Sequence, residues 1–195
     1  MLTQISKSDT LPITLDDVKL HLMVEHDLDD DLITDYIWQA IAYCEESTGS
    51  DFTEAVYDLA VPGWNDNTVP CWNRKIILPK VPVSAVASVK YYDTDNAQQT
   101  LSSSSYYVHT PTRQPAVVEF DANTTLPALK TRADAVTIRF TAGYATLPHQ
   151  ARAAILLLVG SWYENRQAEI TGTITTTLKL GAERLLNQIS HVWGC

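Results

Sequence analysis

The sequence predicts an α+β protein, a helical core interrupted by an inserted antiparallel β domain. Three observations carry this. Helical periodicity is confined to residues 13–50 and 145–167, with a further amphipathic stretch near the C-terminus. Between the two helical parts, residues 51–144 break into short β-branched and aromatic runs separated by Pro, Gly, Asn and Asp. The densest apolar run, Ala153–Gly160, falls far short of the ~20 residues that span a bilayer. It therefore reads as a core helix, and no membrane partner is expected.

Helical signals open the chain after an extended lead-in over residues 1–12. Thr14 followed by Leu15-Asp16-Asp17 is a capping pattern with an acid at the third helical position, and it predicts a short helix over Leu15–Leu22. The acidic stretch Glu25–Asp31 marks a second helix start, its acids explained by the helix dipole. From there Leu32, Ile33, Tyr36, Ile37, Ala40, Ile41, Tyr43 and Cys44 cover about half of a helical wheel, and Gly49 sits where helices commonly end. Trp38 falls on the opposite, polar side beside Thr34 and Glu45. Because Trp is enriched at interfaces, it is a contact candidate.

The β region follows. Phe52–Trp64 alternates and breaks at Pro62-Gly63, and residues 65–75 read as loop. Ile76–Leu78, Val83–Tyr92, Gln98–Leu101, Tyr106–Thr110, Ala116–Phe120 and Val136–Thr141 are further strand candidates. About six short strands with turns between them make an antiparallel sheet or small sandwich.

Leu147–Gln167 organises the helical part. Ala151, Ile155, Leu158 and Trp162 define one apolar face, and Ala153, Leu156, Leu157, Gly160 and Tyr163 a second. Pro148 fits the first turn, where an N–H has no helical partner. A helix apolar on nearly all sides is buried. The pattern fits core packing alone, or core packing plus a subunit interface through Leu156 and Tyr163. After it, Glu169–Leu178 reads as an extended, threonine-rich arm or edge strand with Ile170, Ile174 and Leu178 on one face. Ala182, Leu185, Leu186, Ile189, Val192 and Trp193 then fall within a narrow arc of a C-terminal helix. That helix either caps its own core or docks into a partner. Residues 168–195 thus form a third region, with Ile170, Ile174, Leu178, Leu185, Leu186, Ile189 and Trp193 as interface candidates.

Composition sets limits on chemistry. A net charge of -9 argues against a basic face that grips DNA phosphates. Three cysteines with no CxxC spacing point to a reducing cytoplasm and to neither a zinc site nor a disulfide framework. Met1–Thr10 lacks the basic start and apolar run of a secretory signal. The acidic cluster Asp27–Asp31 fails the EF-hand pattern, since Leu32 holds the place of the turn glycine and Trp38 that of the bidentate Glu. The five histidines show no paired spacing, and no nucleophile elbow or phosphate-binding glycine loop occurs. No catalytic residue, metal ligand or cofactor site is read from the chain.

The segments ITLDDVKLHLMVEHDLDDDLITDYIWQAIAYCEESTG, LPKVPVSAVASVKYYDTDN, Tyr106-Tyr107-Val108, FTAGYATLPHQARAAILLLVGSWYENR and LGAERLLNQISHVW together resemble the head–tail connector (adaptor) proteins of tailed phages. The likeness covers most of residues 13–193 and is nearest to longer members with a β insertion. Asn96-Ala97 replaces the usual turn glycine, and Leu126-Pro127 stands where Trp-Pro is common. The resemblance implies a virion protein assembled in the host cytoplasm as a closed ring, typically a dodecamer, beneath the portal. Such a ring extends the DNA channel without sequence-specific contact and joins the portal to a downstream neck, stopper or tail protein. It implies no enzymatic activity. The competing reading is a small soluble α+β enzyme or ligand-binding domain.

Overall fold

The computed structural model describes residues 1–65, 74–111, 114–165 and 174–190. The chain divides into two compact units, each built from segments far apart in sequence. One contains Asp9–Thr53 and Tyr144–Ser190; the other contains Met1–Ser8 and Glu54–Gly143.

The first unit is helical: α1 (Leu15–Leu22), α2 (Asp30–Thr48), α3 (His149–Glu164) and α4 (Ile174–Ile189). Thr14 Oγ1 accepts from the Asp17 N–H at 3.2 Å, which satisfies one of the orphan donors of the first turn. Met23 ends α1 in the left-handed region (φ 56°), its N–H turned back to the carbonyls of Leu20 and Lys19. α2 buries Ile33, Ile37, Ala40, Ile41 and Cys44 along one stripe and stops at Gly49. There φ is 68°, a conformation a side chain disfavours, and the N–H bonds the Glu45 carbonyl at 2.9 Å.

α3 is shorter at both ends than the periodicity suggests. Pro148 caps it from outside with ψ 143° and does not occupy the first turn. Its fixed φ suits an extended cap as well as a helical start, so the residue type alone does not choose. The buried stripe is Ala151, Ala154, Ile155, Leu158 and Val159. Leu156, Trp162 and Tyr163 are half-buried against the same core. That core joins α3 to Val18 of α1, the α2 stripe and Ala182 and Leu186 of α4. Edge-to-face stacking of Tyr36 and Trp162, with centroids 6.2 Å apart, closes one side.

The C-terminal region departs from the sequence reading. Ile174–Leu178, expected to be extended, forms the first turns of α4. Ile174 and Leu178 are four residues apart, a spacing shared by a helix face and an extended face, and the helical period wins over threonine content. The remainder of the predicted arm, including Ile170, and the end of the predicted helix at Trp193 lie outside the described residues.

The second unit is a β sandwich. β1 (Leu2–Lys7), β2 (Ala55–Val61), β8 (Val136–Ala142), β4 (Val83–Tyr92) and β5 (Gln98–Thr100) form one sheet in that order. β3 (Lys75–Ile77), β7 (Val117–Phe120) and β6 (Tyr106–His109) form the other, and the described pairings are antiparallel. Alternation on β2 and β8 sends Tyr57, Leu59, Ile138 and Phe140 inward to meet Ile76, Val118 and Phe120 in one core. The lead-in thus becomes an edge strand. At the β4–β5 turn Asn96 takes φ 65°, the left-handed geometry a glycine otherwise supplies. No helix among the described residues is long and apolar enough to cross a membrane.

Replacing the fully buried Ile155 with Ala should cost about 2–4 kcal/mol of unfolding free energy, through lost contacts and a residual cavity. Urea denaturation measures it, and a loss within error of zero would remove α3 from the centre of the helical core.

Candidate interaction surfaces

The chemistry-bearing side chains of the helical unit gather where α1 turns into α2. Lys19 is nearly buried, with 8% of its surface exposed. Its Nζ donates to Asp27 Oδ1 and to Asp30 Oδ1, both at 2.7 Å. These hydrogen bonds, the one to Asp27 first, push the ammonium above its ordinary pKa. The hydrogen bond from Lys19, aided by the charge of its ammonium, holds the Asp27 carboxyl below the ordinary carboxylate range. Asp29, the residue before α2, makes no side-chain cap. Its Oδ2 accepts instead from the Tyr163 hydroxyl of α3 at 2.6 Å.

The acidic stretch is therefore more than a complement to the helix dipole. Three of its carboxylates are tethers: two clamp α1 to the start of α2 and one fastens α2 to α3. Among the described residues, no group of three or more His, Cys, Asp or Glu is placed to hold a metal ion. Burial pushes the Cys44 thiol up to about 12, so it stays protonated and unreactive at neutral pH.

The interface candidates fall into separate classes. Trp38, expected on a polar face, is half-buried against the helical core. A 19-residue α2 is wrapped by more than one neighbour, so the face opposite its stripe is not wholly solvent. Leu156, Tyr163, Leu185 and Ile189 are half-buried on the same core, and Leu186 is fully inside it. Leu186 is thus spent on the subunit's own fold. Ile174 and Leu178 lie in the opening turns of α4.

Among the described residues, the most exposed apolar side chains lie outside the buried stripes, and Leu20, one of the apolar positions that mark the first helix in the sequence, is among them. In the helical unit these are Leu20, Met23 and Leu28, at 80%, 90% and 90% exposure. Leu20 lies off the Leu15–Val18–Leu22 stripe, and that offset is the signal that marks it as outward-facing. In the β unit they are Met1, Leu2, Ile5 and Tyr107, all on edge strands or at their ends.

Changing Tyr163 to Phe should lower stability by about 1–2 kcal/mol, because the Asp29 carboxylate loses a close donor. An unchanged denaturation midpoint would reject the tether. For Lys19→Met, amide exchange over residues 23–30 should accelerate at neutral pH. The wild-type pH response has a fixed sign. Asp27's depressed pKa contributes stability above its ordinary value of 3.8, and that contribution is lost as pH falls through the lower folded value. Lys19's raised pKa contributes below 10.5 and is lost only above it. Loop protection should hold from neutrality down to the acid limb, and a loss centred near pH 7 would contradict the clamp.

A family model described as phage gp6-like head–tail connector protein matches residues 12–112. Among solved structures, the fold resembles a chain from the neck of an empty gene transfer agent (GTA) particle computed with C6 symmetry. The TM-score is 0.75 at 20% identity, over 100% of this chain and 97% of the other. A chain of a native GTA virion gives 0.74 at 19% identity, and one from a native GTA neck computed with C12 symmetry gives 0.73 at 22%, with the same coverage. No curated protein matches the sequence.

Proposed function

The protein belongs to the phage gp6-like head–tail connector family, whose model matches more than half of its length, and from that premise we propose that it forms a ring at the head–tail junction of a particle. Its role is structural, that of a connector. The observation that carries the ring is the correspondence of fold along the entire chain with neck chains computed under C6 and C12 symmetry. A dodecamer beneath the portal, passing DNA toward a neck, stopper or tail protein, is the arrangement that fits. It assembles in the host cytoplasm and resides in the virion. It performs no chemistry of its own and takes no cofactor.

The physical features support this reading. A net charge of -9 suits a passage that must release DNA and not grip it. The half-buried Trp38, Leu156, Tyr163, Leu185 and Ile189 are available to gain burial against portal or neighbouring subunits. Ile170, Ile174, Leu178 and Trp193 extend that contact candidacy along residues 168–195. Because Ala182 and Leu186 sit inside the helical core, removing the whole C-terminal region would unfold the unit and test nothing about docking. Point changes at Leu185 or Ile189 are the usable probes.

Deleting the gene from the particle-producing strain should give DNA-containing heads that lack tails, restored by the wild-type gene in trans. Electron micrographs showing tailed particles at normal yield without the protein would overturn the assignment.

A further inference from the structure

A single exposed apolar side chain is ordinary on a protein surface, but a group of them on one turn marks a contact site. Leu20, Met23 and Leu28 fall within one short stretch where α1 turns into α2, and all three are strongly exposed. Their neighbours Leu15, Leu22 and Val24 pack on the helical core, and these three do not. The fold holds them at one corner. Met23, in the left-handed region, turns its N–H back to the Leu20 carbonyl. Lys19 Nζ then binds Asp27 Oδ1, fastening the residue before Leu28 to the residue before Leu20.

Charge singles out the same corner. The helical unit carries 15 acids against five Lys and Arg, whereas the β unit carries eight against nine. Seven of those acids lie between Asp16 and Asp31. Some are answered within the unit: Lys19 binds Asp27 and Asp30, and Arg152 reaches Asp17 at 3.3 Å. Asp29 takes the Tyr163 hydroxyl. Asp16, Glu25 and Asp31 are exposed, and no ion pair among the described residues engages them. The corner therefore offers bare apolar side chains and uncompensated negative charge side by side.

We propose that this corner docks a segment of a different protein that carries apolar and basic side chains together. Its apolar side chains cover Leu20, Met23 and Leu28, and its cations face Asp16, Glu25 and Asp31. The inference goes beyond the connector reading, since it needs a partner but no ring. A second copy of this chain is a poor occupant. Its helical unit repeats the acidic excess, like against like. In its β unit Lys75, Arg132 and Arg139 are already paired with Glu119, Asp134 and Asp58. Arg74 and Lys130 there donate to carbonyl oxygens.

The probe is a fluorescent amphipathic helix of leucine and lysine, titrated with the full-length chain and followed by anisotropy. Two controls replace its leucines with serine or its lysines with glutamate. Wild type should bind the leucine–lysine peptide at least about tenfold more tightly than either control, and less tightly as salt rises. L20S/M23S/L28S and D16N/E25Q/D31N should each weaken binding about tenfold while melting with wild type, because every position is exposed. Leu28→Ser alone should show the same direction. I5S/Y107S, which removes exposed apolar side chains elsewhere, should change nothing. Equal binding of the serine–lysine peptide, binding indifferent to the corner variants, or an equal loss from I5S/Y107S would overturn the proposal.

Met23→Cys, treated with a maleimide beside the parent chain, locates the occupant. The label should enter the purified protein in whatever oligomer it forms and be excluded in intact particles. Exclusion from the purified oligomer would assign the corner to a second copy, and entry in intact particles would leave it uncovered; either result overturns the proposal. Particles that prove to lack the protein would remove the connector reading, and the peptide titration would still decide the corner.

Discussion

Everything in the helical unit depends on burying one side of α3. Its stripe of Ala151, Ala154, Ile155, Leu158 and Val159 has no use in water, and the unit is the arrangement that covers it. Two of the five are alanines, which let neighbouring helices approach closely, while Ile155 and Leu158 fill the space between them. α2 and α4 supply the covering surfaces, and Val18 of α1 completes the core. The α1–α2 pair and the α3–α4 pair lie on opposite sides of the β segment in sequence, so the core cannot form until the chain has crossed that segment and returned. Ordering that loop is an entropic cost that grows only slowly with its length, about 0.6 kcal/mol per doubling. A large insertion is therefore tolerable if its ends meet.

Its ends do meet. At the boundary of the helical unit, the Tyr144 N–H donates to the Asp51 carbonyl at 3.3 Å, and the rings of Phe52 and Tyr144 lie 6.1 Å apart, edge to face. The Phe52 N–H in turn donates to Glu45 Oε1 at 2.7 Å, anchoring the exit from α2. Ser50, Asp51 and Thr53 are buried here, an uncommon concentration of polar side chains for a core. The helical unit closes over this knot as though residues 54–143 were a loop, and those residues build a core of their own. The extra strand β1 comes from the other end of the chain and joins β2 over Leu2–Lys7.

How much of this was legible in the sequence depended on whether the signal was local. Thr14, Gly49 and the α2 stripe act within a turn or two of themselves, and those elements lie where their residues place them. The strands of the β unit follow their runs for the same reason, and Asn96 supplies the left-handed turn in place of a glycine. What the sequence concealed was pairing at a distance. Lys19 looks like one more charge on a short helix until the fold brings Asp27 and Asp30 onto it. Nothing near Asp29 in sequence announces Tyr163, 134 residues away. The onset of α4 was misread because a spacing of four serves helix and extended chain alike.

Contact surfaces were the least legible part, and the reason is physical. A residue's role in its own core is recorded in periodicity, since the core and the element share one geometry. Its role toward a partner is recorded only as an apolar side chain where periodicity does not call for one. Leu20, Met23, Leu28 and Ile5 are exposed apolar side chains off the buried stripes. Because they contribute little to burial within the subunit, replacing them leaves folding stability nearly untouched. Leu186 is the opposite case: on an amphipathic helix that suggests docking, it is already consumed by the core. In the proposed ring, half-buried residues such as Leu156 and Tyr163 serve both the core and a neighbour, while the fully buried stripe of α3 serves the core alone.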